Sequence, residues 1–241
     1  MNCLRLSVWS GPRNVSTALM YSFRQRSDTR VFDEPLYGYY LRHSGARHPG
    51  RNEVLAAMDR DGERVVRDIL LGPCERPVLF FKNMAHHLRG LEWDFLDDLR
   101  SVLLTRDPAE MLPSLAGHIT DPSLADTGLP EQVQLLEREL NRGRSPIVLE
   151  AKEILRDPRS VLTEACRRLG IPFAETMLAW PAGPKPEDGV WARYWYANAH
   201  RSTGFAPYRP KETPFPDELL PLLEEARPLY ARLAEHAIRA P

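Results

Sequence analysis

The fold is indicated first by the stretch LRLSVWSGPRNVST, residues 4–17. It opens with a short apolar run, Leu4–Trp9, which stops at a Ser-Gly-Pro turn signal. A helical pattern follows over Ser16–Arg26, with the apolar side chains on one face. Short apolar runs that end at Gly and Pro are typical of strands, and one-sided apolar spacing is typical of helices. The stretch therefore predicts a buried strand, a tight turn and a helix.

The same alternation of strand and helix continues along the chain. Further strands are predicted over Thr29–Phe32, Pro77–Lys82, Ser101–Thr105 and Ile147–Leu149. Helices are predicted over Leu36–Arg42, Val54–Met58, Leu88–Leu99, Pro108–His118, Leu129–Asn141, Asp157–Gly170 and about 215–239. Short apolar strands between helices predict an α/β fold of three layers, α/β/α, with a central parallel sheet. We expect one domain over residues 1–241, with a core of about 3–205.

The composition argues against several classes of protein. The 241 residues include 32 Lys and Arg and 33 Asp and Glu, giving a net charge of -1, and 43% are hydrophobic. This balance disfavours disorder and bulk nucleic-acid binding, although a local basic pocket remains open. No apolar run reaches the length of a membrane span. We therefore expect a soluble, cytoplasmic protein with no nucleic-acid or membrane partner, and a homo-oligomer is possible.

The cysteines and histidines give no metal or disulfide pattern. Cys3, Cys74 and Cys166 are odd in number and far apart, and no CxxC spacing occurs. The adjacent pair His86 and His87 has no HExxH frame around it. We therefore predict three free thiols in a reducing compartment and no metal site.

The turn after the first strand has the residues of an anion site. Backbone N–H groups and the dipole at a helix start bind anions. Ser16 and Thr17 add hydroxyl donors, and Arg13 adds a fixed positive charge. The Walker pattern is absent, since its second Gly and its Lys are missing, which disfavours ATP or GTP hydrolysis. The alternative is an ordinary turn with a surface arginine.

A second basic motif follows the fourth strand. Arg106 ends that strand, Asp107 and Pro108 begin the next helix, and Ser114 lies eight residues after the arginine. In a parallel sheet this motif and the first turn meet at the same edge. A helix cap with a surface ion pair is the alternative for this motif alone.

With both motifs, the sequence resembles the sulfotransferases that use 3′-phosphoadenosine-5′-phosphosulfate (PAPS). This resemblance implies a P-loop NTPase-like fold. Their 5′-phosphosulfate loop has the form Pro-(Arg/Lys)-Ser-Gly-(Ser/Thr)-Thr, and this sequence departs from it at Asn14 and Val15. The resemblance assigns Arg106 and Ser114 to the 3′-phosphate. It assigns the 5′-phosphosulfate to Pro12, Arg13, Asn14, Val15, Ser16 and Thr17.

A late segment, Lys185–Phe205, resembles the loop that covers the cofactor in this family. It partly matches the family's Arg-Lys-Gly run, which makes Lys185 a cofactor-binding candidate. The segment also holds four aromatic residues that could stack on adenine or pack in the core: Trp191, Tyr194, Trp195 and Tyr196.

The catalytic candidates also follow strand ends. Glu34 follows the second strand and Lys82 ends the third, with His86 and His87 four and five residues further on. The resemblance implies that Arg13 stabilises developing charge and that Lys82 positions the sulfuryl group or the leaving phosphate. The base is Glu34 or one of the two histidines. Strand alternation predicts that Asp33 points away from Glu34.

The sequence thus predicts a sulfotransferase that moves the sulfuryl group of PAPS to a hydroxyl or amine of a small-molecule acceptor, without a metal. One alternative is a P-loop-type nucleotide kinase or hydrolase. Another is a non-catalytic nucleotide-binding protein of the same fold. We expect the acceptor pocket to come from residues 36–62 and 120–130.

Overall fold

A parallel sheet forms the centre of the protein. The structure is a computed structural model that describes residues 3–210 and 213–241. Within these residues the strands are β1 (Leu4–Ser10), β2 (Thr29–Asp33), β3 (Val78–Met84), β4 (Arg100–Thr105) and β5 (Ile147–Glu150). Their order across the sheet is β2-β3-β1-β4-β5, and every neighbouring pair is parallel.

Helices connect the strands. They are α1 (Ser16–Arg24), α2 (Tyr37–Ser44), α3 (Arg51–Ala57), α4 (Gly62–Val65), α5 (Pro108–Ala116), α6 (Leu124–Thr127), α7 (Leu129–Asn141), α8 (Ala151–Arg156), α9 (Pro158–Leu169), α10 (Ala192–Trp195), α11 (Ala197–Arg201) and α12 (Leu220–Ala234). A π-helical turn covers Val66–Leu70, and 3₁₀ turns cover Ala85–Leu88, Asp94–Asp98, Glu175–Leu178 and Asp217–Leu219. Among the described residues, no helix combines the length and the apolar character that a membrane span needs.

Alternate residues of β1 pack on opposite faces of the sheet, as a strand buried on both sides requires. Leu6 and Val8 share a buried cluster with apolar side chains of α1, α8 and α9. Trp9 lies in another buried cluster, with side chains of α7 and α12. The sheet therefore has helices on both faces, which confirms the predicted three-layer α/β/α fold.

The register of the strands brings their carboxyl ends together. Asp33 of β2 pairs with Lys82 of β3, and Ser10 of β1 is level with Met84 of β3 and Leu104 of β4. The loops that leave these strands consequently begin at one edge of the sheet. This is the edge at which parallel α/β proteins bind ligands.

Two of the predicted helices are wrong in extent. The region Leu88–Leu99 holds the last residue of one 3₁₀ turn and the whole of a second, because Gly90 adopts a φ of 77° and interrupts any helix there. The last helix begins and ends inside the predicted span of 215–239. Beyond Ala234 the chain pairs with the sheet, since the Ile238 N–H donates to the Val148 carbonyl of β5 at 2.9 Å.

The prediction of three free thiols is also wrong. Cys3 and Cys74 form a disulfide, with a Cα–Cα distance of 6.0 Å. They are 71 residues apart in sequence, but the parallel pairing of β1 with β3 brings the starts of the two strands together. The remaining cysteine, Cys166, is a buried free thiol, and burial raises its pKa to about 11.

We expect the protein purified without reductant to show no thiol that reacts quickly with an alkylating reagent in the native state. After unfolding, Cys166 alone should react, because the other two cysteines are bonded to each other. Mass spectrometry of the alkylated chain checks this. Alkylation of Cys3 and Cys74 in the unfolded, unreduced protein would contradict the pairing.

Candidate active site

A cavity of about 460 Å³ lies at the carboxyl edge of the sheet. The structure brings together in its wall all but one of the site residues that the sequence predicts. These are Pro12, Arg13, Asn14, Val15, Ser16, Thr17, Glu34, Lys82, His86, His87, Arg106 and Ser114. Residues from four strand ends therefore meet in one place.

The turn between β1 and α1 is fixed by Asn14, a residue at which the loop departs from the family pattern. Its Nδ2 donates to the Leu104 carbonyl of β4 at 2.9 Å, and its Oδ1 accepts from the Val15 N–H at 2.8 Å. Arg13 turns the chain with a φ of 53°. α1 begins at Ser16 without a side-chain cap, and its first residues line the cavity, which places the positive end of the helix dipole there.

The two basic motifs meet beside this helix start. Arg106 Nη1 donates to the Arg13 carbonyl at 2.7 Å, and Arg13 Nε donates to Ser114 Oγ at 2.9 Å. Arg106 also pairs with Glu110 at 3.2 Å. Burial and the charge of Arg106 lower the pKa of Arg13. Two guanidinium groups beside a helix start make this part of the cavity suitable for phosphate or sulfate oxygens.

A buried charge cluster forms the floor of the cavity. The Lys82 side chain is 1% exposed, and its Nζ donates to Asp33 at 2.9 Å, to Glu34, and to the Tyr196 hydroxyl at 2.5 Å. Burial works to lower the pKa of Lys82, but the charges of Asp33 and Glu34 outweigh it and raise that pKa. Burial also raises the pKa of Glu34, although Lys82 opposes the shift.

The expectation that Asp33 and Glu34 point to opposite sides is wrong. Glu34 adopts a φ of 47°, and its N–H donates to the Lys82 carbonyl at 2.7 Å. The strand alternation ends at this residue, so both carboxylates contact the same ammonium. A left-handed backbone at a non-glycine residue costs of order 1–3 kcal/mol and is concentrated at functional sites.

The two histidines lie next to this cluster, in the 3₁₀ turn after β3. His87 stacks on Tyr37, with ring centroids 5.1 Å apart, and its Nε2 lies 4.0 Å from Glu34 Oε2. Burial lowers the pKa of His86 and His87 well below the usual range, so both rings are neutral near pH 7. Within the described residues, His86 Nδ1 and both nitrogens of His87 have no hydrogen-bond partner.

The role of Tyr196 was not evident from the sequence. Its hydroxyl lies 2.8 and 2.9 Å from the two Asp33 oxygens and accepts a hydrogen bond from Trp191 Nε1 at 3.1 Å. Trp195 also lines the cavity, whereas Tyr194 points to Glu53 on the surface. The cluster of aromatic residues in the sequence indicated this segment. It could not show which of these residues lie in the wall of the cavity, at its floor or on the surface.

Lys185 is the predicted site residue that does not line the cavity. Its ammonium donates to the carbonyls of Pro181 and Gly183, at 2.7 and 2.5 Å, and lies over the ring of Tyr21. Its donors are thus used within its own loop and its immediate surroundings. The donor site that we propose below therefore does not include Lys185.

Comparisons with known proteins indicate the family and the fold of the chain. Residues 4–237 match the sulfotransferase domain family. The backbone resembles the sulfotransferase domain of the olefin synthase from Synechococcus PCC 7002 (TM-score 0.56, 17% identity, 93% of this chain and 94% of that one). It also resembles a sulfotransferase from Alicyclobacillus acidocaldarius (TM-score 0.53, 18% identity, 98% and 96%).

Two curated relatives come from Arabidopsis thaliana. They are branched-chain-amino-acid aminotransferase-like protein 1 (42% identity over 231 residues) and protein 2 (40% over 232 residues). The alignments cover 95% and 96% of this chain but 41% of each relative, so the chain spans about two fifths of their length.

The fold and the family model together define a sulfotransferase domain. The chain belongs to the sulfotransferase domain family, which matches it over nearly its whole length.

Proposed function

We propose that the protein transfers the sulfuryl group of PAPS to a hydroxyl or amine of a small molecule. The observation that carries this proposal is the meeting of Arg13, Arg106 and Ser114 beside the start of α1, in one cavity. This arrangement offers two neighbouring places for an anion, one at the helix start and one at the arginine pair. PAPS carries anionic groups at both its 5′ and 3′ positions, whereas ATP has no 3′-phosphate.

The residues present fit such a donor. The loop 12–17 and the first N–H groups of α1 would hold the 5′-phosphosulfate, and Arg106 with Ser114 would hold the 3′-phosphate. Burial and, to a lesser extent, the charge of Arg106 lower the pKa of Arg13, and an anion between the two guanidinium groups would relieve their repulsion. The cavity volume of about 460 Å³ lies in the range of ligand pockets, roughly 300–1,000 Å³.

PAPS supplies a sulfuryl group bonded to a phosphate that can leave. In the transfer the acceptor oxygen or nitrogen forms a bond to sulfur while the bond from sulfur to the phosphate oxygen breaks, and its electron pair leaves with adenosine 3′,5′-bisphosphate. Arg13 would stabilise the negative charge that develops on the leaving phosphate, and Lys82 would position the sulfuryl group. A base must take the proton that the acceptor loses.

We assign the base to Glu34. Its carboxylate lines the cavity, and its raised pKa makes it a stronger proton acceptor than an ordinary glutamate. Burial lowers the pKa of both histidines, so each is a weaker proton acceptor than an ordinary histidine. Their unpartnered ring nitrogens suit them better to orienting the acceptor next to Glu34 Oε2, which lies 4.0 Å from His87 Nε2.

Calorimetric titration tests the donor site. We expect adenosine 3′,5′-bisphosphate to bind much more tightly than ADP in the absence of magnesium, because ADP lacks the 3′-phosphate. Arg106→Ala should weaken the bisphosphate by about tenfold or more, since a hydrogen bond to a charged group contributes about 1.5–3 kcal/mol. Binding of ADP should change less.

Arg159→Ala is the matched control, because Arg159 is exposed and pairs with Glu175 outside the cavity. It should change neither affinity. Equal affinity for the bisphosphate and ADP in the unmutated protein would contradict the proposal. Binding of ATP that requires magnesium would instead favour a kinase or hydrolase.

A further inference from the structure

The three hydrogen bonds of Lys82 use its whole donor capacity. An ammonium group has three N–H donors and no acceptor. Asp33, Glu34 and Tyr196 each take one of these donors. Lys82 therefore cannot contact a ligand in the cavity unless it gives up one of the three partners.

Asp33 and Tyr196 are fixed by further hydrogen bonds. Asp33 Oδ2 accepts from the Gly189 N–H at 3.2 Å, and the Tyr196 hydroxyl accepts from Trp191 Nε1. Lys82 and Trp191 can only donate, so the single phenol proton of Tyr196 goes to a carboxylate, and both Asp33 oxygens lie closer than Glu34 Oε1, which is at 3.4 Å. The Asp33 and Lys82 side chains are each 1% exposed.

Glu34 is the partner that can be exchanged. It lines the cavity, its backbone is in the left-handed region, and its second oxygen faces His87 across a 4.0 Å gap. Its side chain is 9% exposed, whereas that of Asp33 is 1% exposed. Loss of this bond leaves the ammonium held by two fixed partners.

We propose that Tyr196 and Asp33 are positioning residues for Lys82. When the donor binds, the ammonium exchanges Glu34 for a sulfuryl oxygen while Asp33 and Tyr196 keep it in place. The same exchange frees the Glu34 carboxylate to take the proton of the acceptor. This inference rests on the proposed function, because it assumes a sulfuryl group above Lys82.

The effect should be confined to the sulfuryl end of the donor. Tyr196→Phe removes one fixed partner of Lys82. The ammonium then depends more on Glu34 and exchanges Glu34 for a sulfuryl oxygen less readily. We expect this variant to bind PAPS about tenfold more weakly by calorimetry, which corresponds to about 1.4 kcal/mol. Its affinity for adenosine 3′,5′-bisphosphate, which has no sulfuryl group, should not change.

Tyr194→Phe is the matched control, since it removes a hydroxyl from the same segment but one that contacts Glu53 on the surface. It should leave both affinities unchanged. Asp33→Asn is a second variant that keeps the shape of the side chain and removes its charge. It should reproduce the selective loss of PAPS affinity. If Tyr196→Phe does not fold, the affinities of Asp33→Asn test the proposal in its place.

Three results would overturn the inference. Equal losses for PAPS and the bisphosphate in both folded variants would indicate a purely structural role. Unchanged PAPS affinity in both would show that Lys82 needs neither partner. If the unmutated protein binds neither nucleotide, the proposed function itself fails, and that result is distinct because it appears before any substitution is made.

Discussion

Glu34→Gln is expected to slow sulfuryl transfer by about 10²–10⁴-fold, the usual contribution of a general base. The substitution keeps the size of the side chain but cannot accept the acceptor's proton. Release of adenosine 3′,5′-bisphosphate from PAPS, with an acceptor found by screening, measures the rate. Affinity for the bisphosphate should change little, because the arginine pair and the start of α1 would hold it.

The pH dependence gives a second readout of the same base. Glu34 must lose its proton to act, so the rate should rise with pH, with a midpoint above the ordinary glutamate value of 4.5 because burial raises this pKa. That acidic limb should disappear in Glu34→Gln. Glu53→Gln, at a partly exposed carboxylate, is the control. A variant that retains full activity would return the role of base to His86 or His87.

Lys82→Met is expected to destabilise the protein by about 3–5 kcal/mol, the usual cost of removing one partner from a buried ion pair. Asp33 and Glu34 would lose their shared cation while remaining buried. Urea unfolding followed by circular dichroism measures this change.

The sign of the pH effect follows from the carboxylates. Without Lys82 the folded-state pKa of Glu34, which burial already raises, should rise further above its unfolded value, so the folded state binds more protons and the variant loses stability as pH rises. The deficit should therefore be smaller in acid than at neutral pH. Adding Asp33→Asn should recover part of the stability. Lys152→Met, at a half-exposed lysine, should change stability by no more than about 0.5 kcal/mol.

The position of the site residues at the ends of strands was readable from the sequence, because strand ends are local signals. Apolar runs ending at Gly11, Glu34, Lys82 and Arg106 placed the polar residues at one edge of a parallel sheet, and the structure gathers them there. The layer architecture followed from the same alternation of strands and helices.

Other features depend on contacts between distant parts of the chain. Tyr196 reaches Lys82 across 114 residues, and no local pattern distinguishes it from Tyr194 two positions earlier. The orientation of Glu34 depends on its left-handed backbone, and a glutamate in the sequence does not indicate that conformation. The pairing of Cys3 with Cys74 likewise required the strand order.

The pairing of the last residues with β5 also affects how the protein can associate. An uncovered edge strand offers free N–H and C=O groups on which another chain can build. Here Ala237 forms a β-bridge with Val148, and the Ile238 N–H donates a hydrogen bond to the Val148 carbonyl. A second molecule that extended the sheet from this side would first have to displace that segment, so the C-terminal residues shield the edge against sheet-to-sheet aggregation.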